Sequence, residues 1–528
     1  MKHTLLLAAF LFALPLVSAQ EIKLLPSDGA AQDRFGFSVA ISGTTSIVGT
    51  YGHDHNGASS GCAYLFDTTT GTQWAELLPA DGAAGDLFGR SVAIDGSTAV
   101  IGSPNDNGTG GVTQSGSAYL FDAVTGLQIS KITASDAATN DYFGHAVAIS
   151  GDTVLVTAYY EDAMGSNSGS AYLFDATTGM QLAKLVPSDG ASEDFFGVSC
   201  AISGNIAIIG AYGDDDNGTD SGSAYLFDTT TGTQIAKLLP SDGGADDSFG
   251  FSVAISGPTA IVGAKDDDDN GYSSGSAYLF DTTTGTQTFK LLASDGLAND
   301  SFGISVAISD DAVLVAAHRN DSNGMREGAA YLFDATTGLE HDKLVPSTVT
   351  GWDAHFGNSV GLDEGTAIIG ADYENVIGLH SGSAYLMEAC IGSVSNVCIG
   401  AINSRGLGAE MVYGGSTSVS ANDFVLASVW CPYNQFGVFY YGPAQAQIPF
   451  GNGYRCVVSG GVGVFRLPVV NTGILGAGLW PLDITSPAHP SGQITAGSTW
   501  YFQFWYRDPL AGGATFNLSD ALKVNFCS

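Results

Sequence analysis

Apolar and polar positions alternate in short runs along most of this chain, and the runs recur. Phe251, Val253 and Ile255 alternate with Ser252, Ala254 and Ser256, the two-residue period of a strand with two unlike faces. Ser256-Gly257-Pro258 enforces a reversal, matched by Ser150-Gly151-Asp152 and Ser203-Gly204-Asn205 in other copies,. Ala260 to Ala264 reads as a second strand, Ser276 to Phe280 as a third, and Thr288 to Leu292, after a Thr-Thr-Gly-Thr turn, as a fourth. No helical spacing appears in the unit.

The unit repeats. A Phe-Gly pair stands at Phe35, Phe88, Phe143, Phe196, Phe249, Phe302 and Phe356, spaced 53 to 55 residues apart, and a Tyr-Leu-Phe/Met triplet keeps step from Tyr64 to Tyr385. Four antiparallel strands in such a unit make one propeller blade, which buries too little to stand alone and must stack on its neighbours. The seventh copy stops after Tyr385-Leu386-Met387 without its fourth strand. Glu21-Ile22-Lys23-Leu24-Leu25-Pro26 supplies the missing sequence, as comparison with Ala236-Lys237-Leu238-Leu239-Pro240 shows. The expected fold is therefore all-β: a seven-bladed β-propeller over residues 20–389, closed by the N-terminal strand so that no sheet edge is left open. A β-sandwich is expected to follow over 390–528.

Residues 1–19 read as a secretory leader: Lys2 and His3, an apolar run from Leu5 to Val17, then Val17-Ser18-Ala19,. The run is too short to span a bilayer, so a secreted or cell-surface protein without a membrane span is expected. Lys and Arg number 17 against 53 Asp and Glu, and from Cys390 onward there are five of each, so the net charge of −36 belongs to the repeats. Such a field repels nucleic acid and anionic lipid. It serves either solubility or cation binding.

Phe-Gly followed by Ser-Val-Ala-Ile, then Gly210-Ala211-Tyr212, Gly102-Ser103-Pro104 or Gly263-Ala264-Lys265, resembles the FG-GAP repeat. The resemblance covers residues 21 to 389. It implies the seven-bladed propeller of integrin α-chain heads and of many bacterial surface proteins, extracellular binding or adhesion, and calcium in some blades. The family's Asp-rich loop between its first two strands is here a short Ser-Gly turn, so that metal site does not carry over.

The acids lie instead between the second and third strands. Asp266, Asp268 and Asn270 before Gly271 place oxygen donors at alternate positions, the opening half of a calcium loop. Asp215 and Asn217, Asp54 and Asn56, and Asp321 and Asn323 repeat it in blades four, one and six. All lack the bidentate Glu that closes an EF-hand-type loop, and the two readings are a calcium site and a solvated acidic turn. A second series, Asp33, Asp86, Asp141, Asp194, Asp247 and Asp300, precedes the Phe-Gly pairs by two residues. Recurrence in nearly every blade favours backbone capping over catalysis. His53, His55, His145 and His341 show no partners, and no nucleophile elbow, phosphate loop or metal-ligand His spacing is present.

Cys62 and Cys200, where sister copies carry Ser or Val, read as buried free thiols,. Cys390, Cys398, Cys431, Cys456 and Cys527 are disulfide candidates in an exported chain, with Cys431–Cys456 and either Cys390 or Cys398 to Cys527 as pairs. Trp430, Trp480, Trp500 and Trp505 also lie in this part, either as a sugar-stacking platform or as core. The expected function is a non-enzymatic binding or adhesion protein for an extracellular protein or carbohydrate. The alternatives are a polysaccharide hydrolase or lyase, which needs paired carboxylates at the central channel, and an envelope or matrix component.

Overall fold

In the computed structural model, the described residues are 21–526 apart from 109, 322–325, 350–352, 390, 392–393, 399, 401, 407, 415–416, 418, 420–421, 423, 462, 485–488, 496–497 and 511–514. The expected leader, Asn323, Trp352, Cys390 and Cys527 lie outside them. Each repeat forms a four-stranded antiparallel sheet. In blade four the strands are Cys200–Ser203, Ile206–Ala211, Ser223–Asp228 and Thr233–Leu238. The second and third strands are almost wholly buried because they lie mid-sheet with a neighbouring blade against each face. The outer strand alternates exposed and half-buried positions.

The seventh sheet takes its outer strand from the other end of the chain. Ile22–Leu24 pairs antiparallel with Ser383–Glu388, Ile22 opposite Leu386 and Leu24 opposite Ala384. Leu24 packs with Phe35, Val48, Tyr64 and Leu386, residues of the first and last blades. The outer strands share one further contact, in which a Gln side chain accepts from a backbone N–H of the preceding connection, as Gln234 does from Ser188 at 2.8 Å. Glu21 takes the same part toward Ser347, at 2.7 Å.

The Phe-Gly pair joins blade to blade. Phe88 is fully buried, its ring 5.5 Å from Tyr119 and 5.9 Å from Phe121. Its N–H donates to Ser60 of the preceding blade at 3.1 Å, beside a parallel bridge to Gly61. Gly61 has φ +79°, and a Cβ there would lie 1.9 Å from the Phe88 carbonyl oxygen. Backbone meets backbone at this crossing, so only glycine fits. Gly61→Ala is expected to lower the propeller's melting temperature by several degrees, through strain and lost contact worth about 2 to 4 kcal/mol. Gly43→Ala, in an open turn at φ +54°, is the control and should cost about 1 kcal/mol.

After residue 389 the chain forms a five-stranded sheet ordered Val394–Val397, Phe516–Asn525, Thr499–Arg507, Phe436–Gly442, Phe465–Asn471, and a three-stranded sheet of Glu410–Gly414, Val425–Val429 and Gly478–Pro481. They share one core that includes Met411, Leu426, Phe439, Phe502, Phe504 and Trp500. Cys398 is bonded to Cys456, which corrects the expected Cys431–Cys456 pair and removes Cys398 as a partner for Cys527. Alternation along the strand explains the correction. Phe439 and Tyr441 face the shared core with Cys431, whereas Tyr440 faces the other side with Cys456. Cys431 stays a free buried thiol, its pKa pushed up to about 11 by burial. No helix among the described residues is long and apolar enough to cross a membrane.

Candidate binding site at the axial rim

The loop after each second strand sends consecutive residues in different directions, and this decides what its acids do. In blade five Asp266 accepts from Ser248 Oγ at 2.9 Å and pairs with Lys265. Asp267, next in sequence, is buried and accepts from Ser276 Oγ at 2.8 Å and Tyr278 OH at 3.0 Å. Asp268 is exposed and caps its own loop through Ser273 N, and Asn270 N donates to Ser274 Oγ. Asp215 and Asn217 repeat the pattern with Asp220 N and Ser221 Oγ, Asp54 and Asn56 with Ser59 N and Ser60 Oγ, and Asp321 with Arg326 N. Asp266 and Asp268 are thus engaged in separate contacts, one with Ser248 and Lys265 and the other within its own loop.

What converges instead is a set of carboxylates on a lysine. Lys290 Nζ lies 2.8 Å from Asp242, 3.1 Å from Asp267 and 2.7 Å from Asp269. Lys237 does the same with Asp189, Asp214 and Asp216. Lys131 and Lys184 hold two acids each, and Lys23, on the closing strand, meets Glu374 at 2.6 Å. Burial opposes charge on Lys131, Lys184, Lys237 and Lys290, but their carboxylate partners outweigh it and raise their pKa values.

The acids two residues before Phe-Gly cap the crossing. Asp33, Asp86, Asp141, Asp194, Asp247 and Asp300 each accept from the backbone N–H three positions earlier, at 2.6 to 3.0 Å. Burial raises all six pKa values, and that of Asp194 reaches about 6, with the Ala191 N–H opposing. A carboxyl whose folded pKa is raised binds its proton more tightly in the native state. Its stabilising contribution is complete below the unfolded pKa near 4 and is lost as pH rises through the folded value. The propeller should therefore melt higher at pH 5 than at pH 7.5, and Asp194→Asn should flatten that fall. An unchanged slope in the variant would count against the assignment.

Where sister blades differ, the differences gather at one end of the axis. In several blades the residue before the Phe, the residue after the Gly, and the residues just after the second strand make side-chain contacts there. Phe37 meets Tyr51 at 4.7 Å, and Arg90 lies over Phe37 at 4.2 Å. His145 lies tilted against Tyr159 at 3.9 Å, Tyr142 meets Tyr160 edge-on at 5.4 Å, and Phe195 lies parallel to Tyr212 at 5.1 Å. Tyr212 reaches Phe251 at 6.0 Å, with Lys265 over Phe251 at 4.6 Å. His318 meets His355 at 4.9 Å, His355 Nδ1 lies 3.7 Å from Asp372, and Arg34 joins Asp372 at 3.5 Å while covering Tyr373 at 3.6 Å. Burial lowers the pKa of Arg90 of blade two, and Tyr51, Tyr159 and Asp372, from blades one, three and seven, hold it in the charged form against that. Burial and then Arg90 hold His145 near pKa 3, and it stays neutral.

Cations are scarce in the repeats, and their placement is uneven. Lys23, Lys131, Lys184, Lys237, Lys290 and Lys343 serve on outer strands. The others, Arg34, Arg90, Lys265, Arg319 and Arg326, stand in this rim or beside His318. In the C-terminal part Tyr440, Phe450, Arg455, Arg466, Trp505 and Phe516 line a groove of about 450 Å³. Of the four tryptophans there, Trp500 is core, Trp430 is exposed, and Trp480 and Trp505 are half-buried.

The FG-GAP repeat model matches residues 19–66, 72–121, 127–174, 180–227, 233–280, 286–333 and 340–387. Each matched unit opens on an outer strand and ends on the Tyr-Leu-Phe/Met strand of the next blade, the offset that leaves Ile22–Leu24 to complete the seventh sheet. No curated protein sequence matches the chain.

Proposed function

The chain belongs to the FG-GAP repeat family, and on that premise we propose that it is an exported, non-enzymatic binding protein whose axial rim takes an extracellular carbohydrate or protein. The observation that carries this reading is the concentration of blade-to-blade differences, aromatic rings and non-network cations at one end of an otherwise repeated acidic body. Half-buried rings already held by their neighbours lose little freedom on contact and offer apolar faces to sugar or side chain. Arg34, Arg90 and Lys265 favour acidic substituents, and of the two partner classes the flat aromatic faces favour a carbohydrate bearing carboxylate or sulfate groups. Calcium belongs to this proposal only at exposed capping carboxylates such as Asp54, Asp215, Asp268 and Asp321.

Panels of acidic and neutral glycans and of extracellular matrix proteins, applied to the full chain, test this reading. Tyr212→Ala with Phe251→Ala should weaken the bound partner at least about 10-fold, and Arg90→Ala should do so selectively for acidic ligands. Thr70→Ala, in an exposed outer turn, should change nothing. A partner held at full affinity by the rim variants would place recognition elsewhere, and turnover of a polysaccharide would overturn the non-enzymatic reading. Melting with and without a calcium chelator tests the ion, and a shift below about one degree removes it.

A further inference from the structure

Blade one breaks the lysine network at every charged position the network uses except one. Where blade four has Asp214, Asp216, Ser223 and Lys237, blade one has His53, His55, Cys62 and Glu76. Asp28 keeps the place of Asp189 and accepts from Tyr64 OH at 2.7 Å. Two acids have become imidazoles, the hydroxyl a thiol, and the central ammonium a carboxylate. The cation at the middle of the sister networks is gone, and donors for another surround its place.

We propose that this pocket is a binding site for a divalent transition metal of the zinc class, held by His53, Cys62 and Glu76. Their ligand atoms lie within 4.8 Å of one another. Bonds of about 2.0 to 2.3 Å in a tetrahedral shell need donors about 3.3 to 3.8 Å apart, so binding draws the three side chains together by about an ångström. His53 is 8 % exposed and Cys62 fully buried. His53 Nδ1 and Glu76 Oε1 are both buried without a hydrogen-bond partner, a costly arrangement that a metal resolves.

The outer groups fit the same ion. His53 Nε2 faces Asp28 Oδ2 at 3.7 Å, the carboxylate–histidine support that orients a metal-bound imidazole,. His55 Nδ1 lies 3.3 Å from Glu76 Oε1 on the solvent side, where it orients that carboxylate. Imidazole, thiolate and carboxylate together select zinc over calcium. Binding displaces the Cys62 thiol proton to solvent and leaves a Zn²⁺, one thiolate and one carboxylate, with no net charge.

The test uses the full chain stripped with a strong chelator and titrated with Co²⁺ as a spectroscopic probe. A thiolate-to-cobalt charge-transfer band should grow to one equivalent, be bleached by Zn²⁺ and not by Ca²⁺, and be accompanied by release of one proton. Cys62→Ser should abolish the band and weaken Zn²⁺ at least about 10- to 100-fold, the loss that even a supporting residue costs. The combined variant His53→Asp, His55→Asp, Cys62→Ser, Glu76→Lys rebuilds the sister network. It should fold, melt at or above the wild-type temperature without metal, and bind no zinc. Absence of the band in the wild type, or equal zinc affinity in the wild type and the combined variant, would overturn the site and leave a charge-reversed ion pair.

Discussion

Leu24→Asp is expected to open the ring. Leu24 is buried between the first and last blades and its strand is only three residues long, so a carboxylate there detaches the whole outer strand. Loss of the buried side chain costs about 2 to 5 kcal/mol, and burying an unpaired charge adds to that. The freed edge is Ser383–Glu388, a strand whose other face is fully committed to its sheet. An unpaired edge is a template for a second chain. Size-exclusion chromatography with light scattering should show concentration-dependent association, together with a lower denaturation midpoint. Ile22→Asp should act less strongly, because Ile22 is only half-buried. A monomeric Leu24→Asp chain with an unshifted midpoint would mean that the ring does not rely on this strand.

Lys237→Met should destabilise blade four by about 3 to 5 kcal/mol, the cost of stripping the counter-charge from a buried acid. Asp214 would then face Asp189 and Asp216 without the ammonium that draws all three together, and its pKa, held below the usual carboxylate range by Lys237 and Tyr225 against burial, would rise. Sign follows from the same shift. A depressed carboxylate stabilises above its unfolded pKa near 4 and loses that contribution as pH falls through its folded value. The wild type should therefore weaken below pH 4 through this network, and Lys237→Met should not. The double variant Lys237→Met with Asp214→Leu should recover most of the loss, because removing both partners leaves no orphaned charge. Urea midpoints of the three proteins decide it.

Much of the architecture was readable because a blade is a local object. Ser256-Gly257-Pro258 and the Thr-Thr-Gly-Thr turn mark reversals by chemistry that acts over four residues, and Thr259–Ala264 and Ser276–Asp281 follow as expected. The rim was not readable in the same way. Arg90, Tyr159 and Asp372 look like unrelated drift in three repeats and become neighbours only when the repeats are stacked about an axis. The acids of these loops are spread for the opposite reason. Asp266, Asp267 and Asp268 are adjacent in sequence, and the turn after the strand points each of them a different way. In sequence His53 and His55 show no partner, because Glu76 lies across a strand pair from them. A signal was present, namely several simultaneous exchanges at the positions of one network within one copy.

The offset between the repeating unit and the blade sets the order in which this molecule can be finished. Lys23 meets Glu374 at a sequence separation of 351, and joining ends that far apart carries an entropic cost of roughly 5 kcal/mol before any contact repays it. Blades one to six can assemble in succession as the polypeptide emerges. Ile22–Leu24, made before any complete blade, must stay unpaired until the last sheet is made, and until the two meet that segment and the sheet's bare edge are both open to a chaperone or a neighbouring nascent chain,.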